Sequence, residues 1–169
     1  MPDRNGAAVA RWLGLGGLVV ALDQITKWYV VQNLRFGEEI PVLPFFSWVR
    51  WHNEGAAFSL LSDAGGWQRW FFVALGVGFV AFIVYELRRL PAQHRGMGWV
   101  YGFIVGGAVG NLIDRALVGH VVDFVLLHYG DNYFPAFNVA DMALTAGAGL
   151  WIGILFIDYL KERRQPSSP

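Results

Sequence analysis

Four long apolar runs limit what this chain can fold into more than any other feature: Trp12–Val31, Trp70–Leu87, Trp99–Leu117 and Val139–Leu160. A bilayer core takes about 20 mostly apolar residues per helix. A backbone in hydrocarbon must also satisfy its own hydrogen bonds, which a helix does. The runs therefore predict four transmembrane helices. Only 15% of residues are charged, against about 25% in soluble domains. Many of the 21 glycines fall inside the apolar runs, where they let helices approach closely. The first run follows Arg4 and Arg11 and so begins like a secretory signal. Asp23, Gln24 and Lys27 then take the place of a small-residue cleavage site, so an uncleaved helix is expected.

Basic residues set the expected orientation. Arg4 and Arg11 precede the first run, Arg88, Arg89 and Arg95 separate the second and third, and Lys161, Arg163 and Arg164 follow the fourth. All fall on one side, which should be cytoplasmic, and both termini with it. The Gly119–Asn138 loop holds no Lys or Arg. In the Leu34–Arg69 loop, Arg35, Arg50 and Arg69 are balanced by Glu38, Glu39, Glu54 and Asp63. Both loops should lie outside. Trp28, Trp48, Trp51, Trp67, Trp70 and Trp99 suit interfacial belts.

The Leu34–Arg69 segment is too apolar for a plain linker. Residues Glu39 to Trp51 read as short β-strands broken by Pro41 and Pro44, with aromatics resting on the outer membrane surface. Gly55 to Ser59 reads as a small-residue turn that allows close backbone approach. Ser62–Gln68 reads as a loop or short interfacial helix, and 165–169 as a disordered tail. The expectation is an all-α integral membrane protein, one domain over 1–169, with four transmembrane helices and a small extracytoplasmic β-rich segment.

Several functions are excluded or disfavoured. A formal net charge of +0 gives no electrostatic case for nucleic acid. With no cysteine, disulfides and thiol nucleophiles are ruled out. His52, His94, His120 and His128 lack metal-ligand spacing, so neither metal nor cofactor is assigned. Ser59 and Ser62 have no recognisable base nearby.

Asp123 and Asp141 carry the chemistry in this reading. Antiparallel helices joined by the Gly119–Asn138 loop bring both to one end of the molecule. Ionisable residues at membrane depth are costly and default to function. Two interacting carboxylates cannot both ionise cheaply, so one keeps a proton. The pair then supplies a base and an acid for hydrolysis at a membrane surface. Singly, Asp141 could be a helix-start residue and Asp123 an ordinary loop carboxylate.

Asp23 and Lys27, four apart on one helix face, form a structural ion pair in the simpler reading. Their functional alternative is orienting a loop or a substrate headgroup. Gly106 and Gly110 mark tight helix packing. Asn111 and Arg115 share another face, and Arg115 needs either Asp114 or a substrate carbonyl or phosphate as partner. Asn53 and Asn138 flank the site from two loops, Asn138 also as a helix N-cap. A small proton-coupled transporter is the alternative function. It would put weight on Asp23 and Asp114 and leave the Leu34–Arg69 segment without a purpose.

The chain resembles lipoprotein signal peptidase, the type II signal peptidase of bacteria, from about Leu22 to Ala148. Five blocks carry the likeness: Asp23 to Lys27, Asn53 to Phe58, Gly106 to Arg115, Val121 to Phe124, and Phe137 to Asp141. The resemblance implies a four-helix aspartyl peptidase of the bacterial inner membrane. Its substrates would be lipid-modified prolipoproteins, cut before the diacylglyceryl-cysteine near the outer leaflet. It implies Asp123 and Asp141 as the catalytic pair, with Asp23, Lys27, Asn53, Gly55, Asn111, Arg115, Asn138 and Ala140 around them. It further implies contact with membrane lipid and inhibition by globomycin-type cyclic peptides. Met142 departs from the small polar residue expected after the second aspartate.

Overall fold

The computed structural model describes residues 4–54, 66–91 and 93–164. Each apolar run becomes a helix: α1 Arg4–Asn33, α2 Trp67–Arg89, α3 Arg95–Leu117 and α4 Val139–Arg164. All four are long and apolar enough to cross a membrane. All four overrun the expected limits. The helix α1 begins eight residues before Trp12, because Ala7, Ala8 and Ala10 are strong helix formers whatever their hydropathy. The helix α4 continues past Leu160, where Lys161 pairs with Asp158 at 3.0 Å.

The helix α3 lies at the centre of the bundle and packs against the other three. Half of its most apolar window is buried, against 11–22% for the others. Glycine makes that position possible. A Cβ on Gly106 would lie 2.7 Å from the backbone oxygen of Gly16 on α1, and one on Gly102 3.0 Å from that of Trp12. Ile83, Val100, Ile104 and Val105 form the core between α2 and α3.

Four antiparallel strands sit at one end in the order β1-β2-β3-β4. The first two, β1 Glu39–Leu43 and β2 Phe46–Asn53, come from the segment expected to be β-rich. Pro44 does fall at their turn. Pro41 does not break β1, because β1 is an edge strand and can spare an N–H. The other two, β3 Val121–Tyr129 and β4 Asn132–Tyr133, occupy what the sequence suggested was a loop. Asp123 is therefore a strand residue. The β-branched and aromatic run from Val121 to Val125 suits a buried strand.

The β2–β3 pairing sets Trp51 opposite Asp123 and Asn53 opposite Val121. Phe137 then bonds back to Val125 in both directions, at 2.9 and 3.0 Å. That bridge lays the start of α4 against β3. Val30, Val122 and Phe124 form a second core beneath the sheet. All six tryptophans proposed for interfacial belts are exposed. Gly55, Ser59, Ser62 and the 165–169 tail lie outside the described residues, as does most of Ser62–Gln68.

Candidate active site

Asp123 and Asp141 meet through shared amides. On β3, Asp123 is buried at 4% exposure. Its Oδ1 accepts the Nδ2 of Asn138 at 2.7 Å, and its Oδ2 accepts the Nδ2 of Asn53 at 3.2 Å. Asp141, in the first turn of α4, accepts the Nδ2 of Asn111 on Oδ1 at 2.8 Å and the backbone N–H of Asn138 on Oδ2 at 3.2 Å. All four carboxylate oxygens thus receive a donor. Asn138 is fully buried and serves both residues. Burial, and then the charge of Asp141, push the Asp123 carboxyl up to about 7 against the pull of the two asparagine amides.

The expected N-cap is present and reciprocal. Asn138 Oδ1 accepts the backbone N–H of Asp141 at 3.0 Å while the Asp141 carboxylate accepts that of Asn138. The arrangement is that of a capping box, with Asp in place of the usual Glu. The backbone N–H of Ala140, within the same turn, donates to Asp23 Oδ1 at 2.8 Å. Ala140 is fully buried, and a Cβ on Gly110 would come within 3.2 Å of its own.

Asp23 and Lys27 pair at 2.8 Å, and Asp114 joins them at 2.9 Å from Lys27. The expected pair is thus part of a buried triad. Asp114 turns to Lys27 and accepts the backbone N–H of Val122 at 3.2 Å, linking α1, α3 and β3. Arg115, its neighbour on α3, faces the other way. It lies over the Phe72 ring and lines a cavity of about 700 Å³ with Asn53, Asn111, Phe137, Asp141 and Met142. Asp123 stands one hydrogen bond behind that wall, through Asn53.

Two contributors had no local sequence signal. Gln24 donates to Asp114 Oδ1 at 2.9 Å, and to Asp23 Oδ2 and the Gly110 carbonyl at 3.2 Å each. Arg69 donates to the carbonyls of Arg115 and Ala116 at 2.8 and 2.9 Å, closing the end of α3. Helix spacing shows which residues share a face, but not which distant residue meets them. His120 stacks on His52 at 3.7 Å between ring centres. Burial lowers the value of both, that of His52 to about 4. Among the described residues, no cluster of three or more His, Asp or Glu could hold a metal ion.

Fold and site together define a multi-pass membrane protein with a carboxylate pair, held by asparagine amides, where helices meet a small sheet. The family model for Signal peptidase (SPase) II matches residues 15–157. This chain belongs to that family. It is 46% identical to the lipoprotein signal peptidase of Acinetobacter baumannii over 158 residues, 93% of this chain and 88% of that protein. It is 49% identical to that of Cupriavidus taiwanensis, covering 91% and 85% of the two chains. A bacterial membrane enzyme solved by the in meso method at 2.3 Å superposes with a TM-score of 0.81 at 29% identity, over 95% of this chain and 94% of that one. A second, at 1.9 Å, superposes with a TM-score of 0.76 at 31% identity, over 86% and 92%.

Proposed function

We propose that this chain is an aspartic-type endopeptidase that removes signal peptides from lipid-modified prolipoproteins, with Asp123 and Asp141 as its catalytic pair. The observation that carries the reading is the double engagement of the buried Asn138, whose side-chain amide donates to the Asp123 carboxylate and whose backbone N–H donates to that of Asp141. A shared scaffold of that kind holds two acids as a unit. The ionised member takes a proton from water as the water oxygen bonds the scissile carbonyl carbon. The protonated member gives its proton to the carbonyl oxygen. The resulting diol collapses as the C–N bond breaks. The nitrogen takes the proton held by the first aspartate, and the second recovers one from a diol hydroxyl. Both aspartates end as they began.

The supporting residues divide by what they touch. Asn53, Asn111 and Asn138 aim the carboxylates, and the buried Asp23 fixes the start of α4 through Ala140. The Asp23–Lys27–Asp114 triad joins α1 to α3. Arg115 lines the cavity beside Asp141 and is suited to a substrate carbonyl or a lipid phosphate. Gly55, outside the described residues, would let the segment after Asn53 approach substrate closely. The positive-inside rule supports cytoplasmic termini in a bacterial inner membrane, with the sheet and carboxylates at the outer leaflet. A diacylglyceryl anchor would hold substrate at that level. The cavity between Phe137 and Leu144 is a fitting site for a globomycin-type cyclic peptide.

Cleavage of a lipidated prolipoprotein by purified chain tests the assignment. Asp123→Asn and Asp141→Asn should each lose activity by at least about a thousandfold, and the double variant should lose no more, because members of a catalytic unit are not additive. EDTA should leave the rate unchanged. Near-native turnover by either single variant, or its abolition by chelator, would remove the aspartyl assignment.

A further inference from the structure

Lys27 has three N–H bonds and three acceptors. Its Nζ stands 2.8 Å from Asp23 Oδ2, 2.9 Å from Asp114 Oδ2 and 3.0 Å from Asn111 Oδ1. An ammonium only donates, and all three donors are used. Two acceptors are carboxylates that neutralise a charge at 3% exposure. The third is a neutral amide, which a structural ion pair does not require.

That amide belongs to the residue whose Nδ2 donates to Asp141 at 2.8 Å. Turning it over would set an N–H₂ against the ammonium. Asn138 Nδ2 adds a second donor to the same Asn111 oxygen at 3.3 Å. The chain from Lys27 through Asn111 to Asp141 therefore has one polarity, with a donor always facing Asp141 Oδ1. On Oδ2, Asp141 accepts a backbone N–H that cannot turn, at a helix start whose dipole favours an anion. Asp123 also accepts two amide donors, at 2.7 and 3.2 Å, but it sits in an antiparallel sheet, whose net dipole is small, and has no helix start beneath it.

We propose that Lys27 is a positioning residue for the reaction: by locking the Asn111 amide it keeps Asp141 the ionised member, which takes the proton from water, and so leaves Asp123 the member that protonates the scissile carbonyl. This rests on the aspartyl reading above. It goes further in assigning the two roles, and in giving Lys27 a part in them beyond its ion pairs. The value of about 7 for Asp123 accords with a carboxyl that holds a proton near neutrality.

The test is the pH dependence of kcat for lipidated prolipoprotein, measured on the full chain. Asn111→Ala leaves the Asp23–Lys27–Asp114 triad whole and cuts the link, along with the longer bond from Asn138 Nδ2. Its acid limb should move to higher pH by about one unit, the scale of one lost hydrogen bond to a charged group. Lys27→Met leaves two buried carboxylates without their cation, so it is made on an Asp114→Asn background and compared with Asp114→Asn alone. It should move the acid limb as far, and adding Asn111→Ala should move it no further. A lysine that acts only through its charge would also move the limb, but independently of the amide, so adding Asn111→Ala would move it further. An unmoved limb in Asn111→Ala, or additive shifts, overturns the proposal. Asp123→Asn and Asp141→Asn run as controls. If they still cleave, the aspartyl reading has failed. If they are dead while the limbs stay put, only the role of Lys27 has.

Discussion

The backbone N–H of Asp141 donates to the side chain of Asn138 at 3.0 Å, and the side chain of Asp141 accepts the backbone N–H of Asn138 at 3.2 Å. This reciprocal cap does more than start α4. With Asn138 Oδ1 committed to the helix, its Nδ2 is left to donate, and its shortest bond, 2.7 Å, goes to Asp123. Helix initiation and carboxylate placement are thus the same event.

Asn138→Ala should therefore fail in two separable ways. Losing an N-cap costs about 1 kcal/mol, which reads as a lower thermal midpoint. Losing the side-chain donor to Asp123 should lower kcat by roughly a hundredfold or more, the scale of one removed active-site donor. Asn138→Ser restores a capping oxygen but supplies no amide to Asp123. It should recover most of the stability and little of the rate. Equal recovery of both would mean that the cap alone matters.

Orientation has a clean test because the chain has no cysteine. Asp131, in the exposed β3–β4 turn after Gly130, can be replaced by Cys on an otherwise unreactive background. A membrane-impermeant maleimide should label Asp131→Cys from the extracytoplasmic face of spheroplasts. Glu162→Cys, near the end of α4, should label only after lysis. The reverse pattern would place the carboxylates in the cytoplasm and end the case for substrates anchored in the outer leaflet.

The four spans were legible because hydropathy is a sum along the chain, most clearly over Arg69–Arg89, where its mean reaches 2.1. The aspartate pair was legible because each residue adjoins an apolar run. The two strands after Gly119 were not. Asp123 interrupts the apolar pattern of β3, whose pairing partner, Phe46–Asn53, lies some 70 residues earlier, and β4 is only two residues long. Asp114 was assigned no firm partner for a similar reason. Its neighbour Arg115 is adjacent in sequence, whereas Lys27 is adjacent only after α1 and α3 pack. Arg69 was legible as a charge and not as the closure of α3.

Packing at Gly107 should prove as demanding as the carboxylates. A Cβ there would press on the backbone oxygen of Ala140 and lie 2.8 Å from Leu144 Cγ. Gly107→Ala should cost about 1–3 kcal/mol by overpacking, and should also slow turnover by shifting the turn that carries Asp141. At Gly17 and Gly149 nothing lies within 4 Å of the added atom. Alanine there should be neutral, or stabilising by up to about 1 kcal/mol through helix propensity. Thermal unfolding in detergent ranks the three. A Gly107→Ala midpoint equal to that of Gly17→Ala would show that α3 and α4 have room to separate.

Asp123 should set opposite demands on activity and stability. Its carboxyl is pushed from the ordinary 3.8 up to about 7, chiefly by burial. Between those values the folded chain holds a proton that the unfolded chain has released, so stability falls as pH rises. The contribution is complete below 3.8 and lost on passing about 7. Above that, the fold carries a buried carboxylate beside the charge of Asp141. A residue that must donate its proton also stops working there, so the rate should decline above about 7. Asp123→Asn replaces the titrating group with a neutral amide of the same shape. The variant should be inactive, yet more stable than the parent at about pH 8, with the advantage shrinking toward about pH 5. The thermal midpoint of both proteins across that range decides it. Parallel curves would show that Asp123 is not the residue whose proton the fold retains.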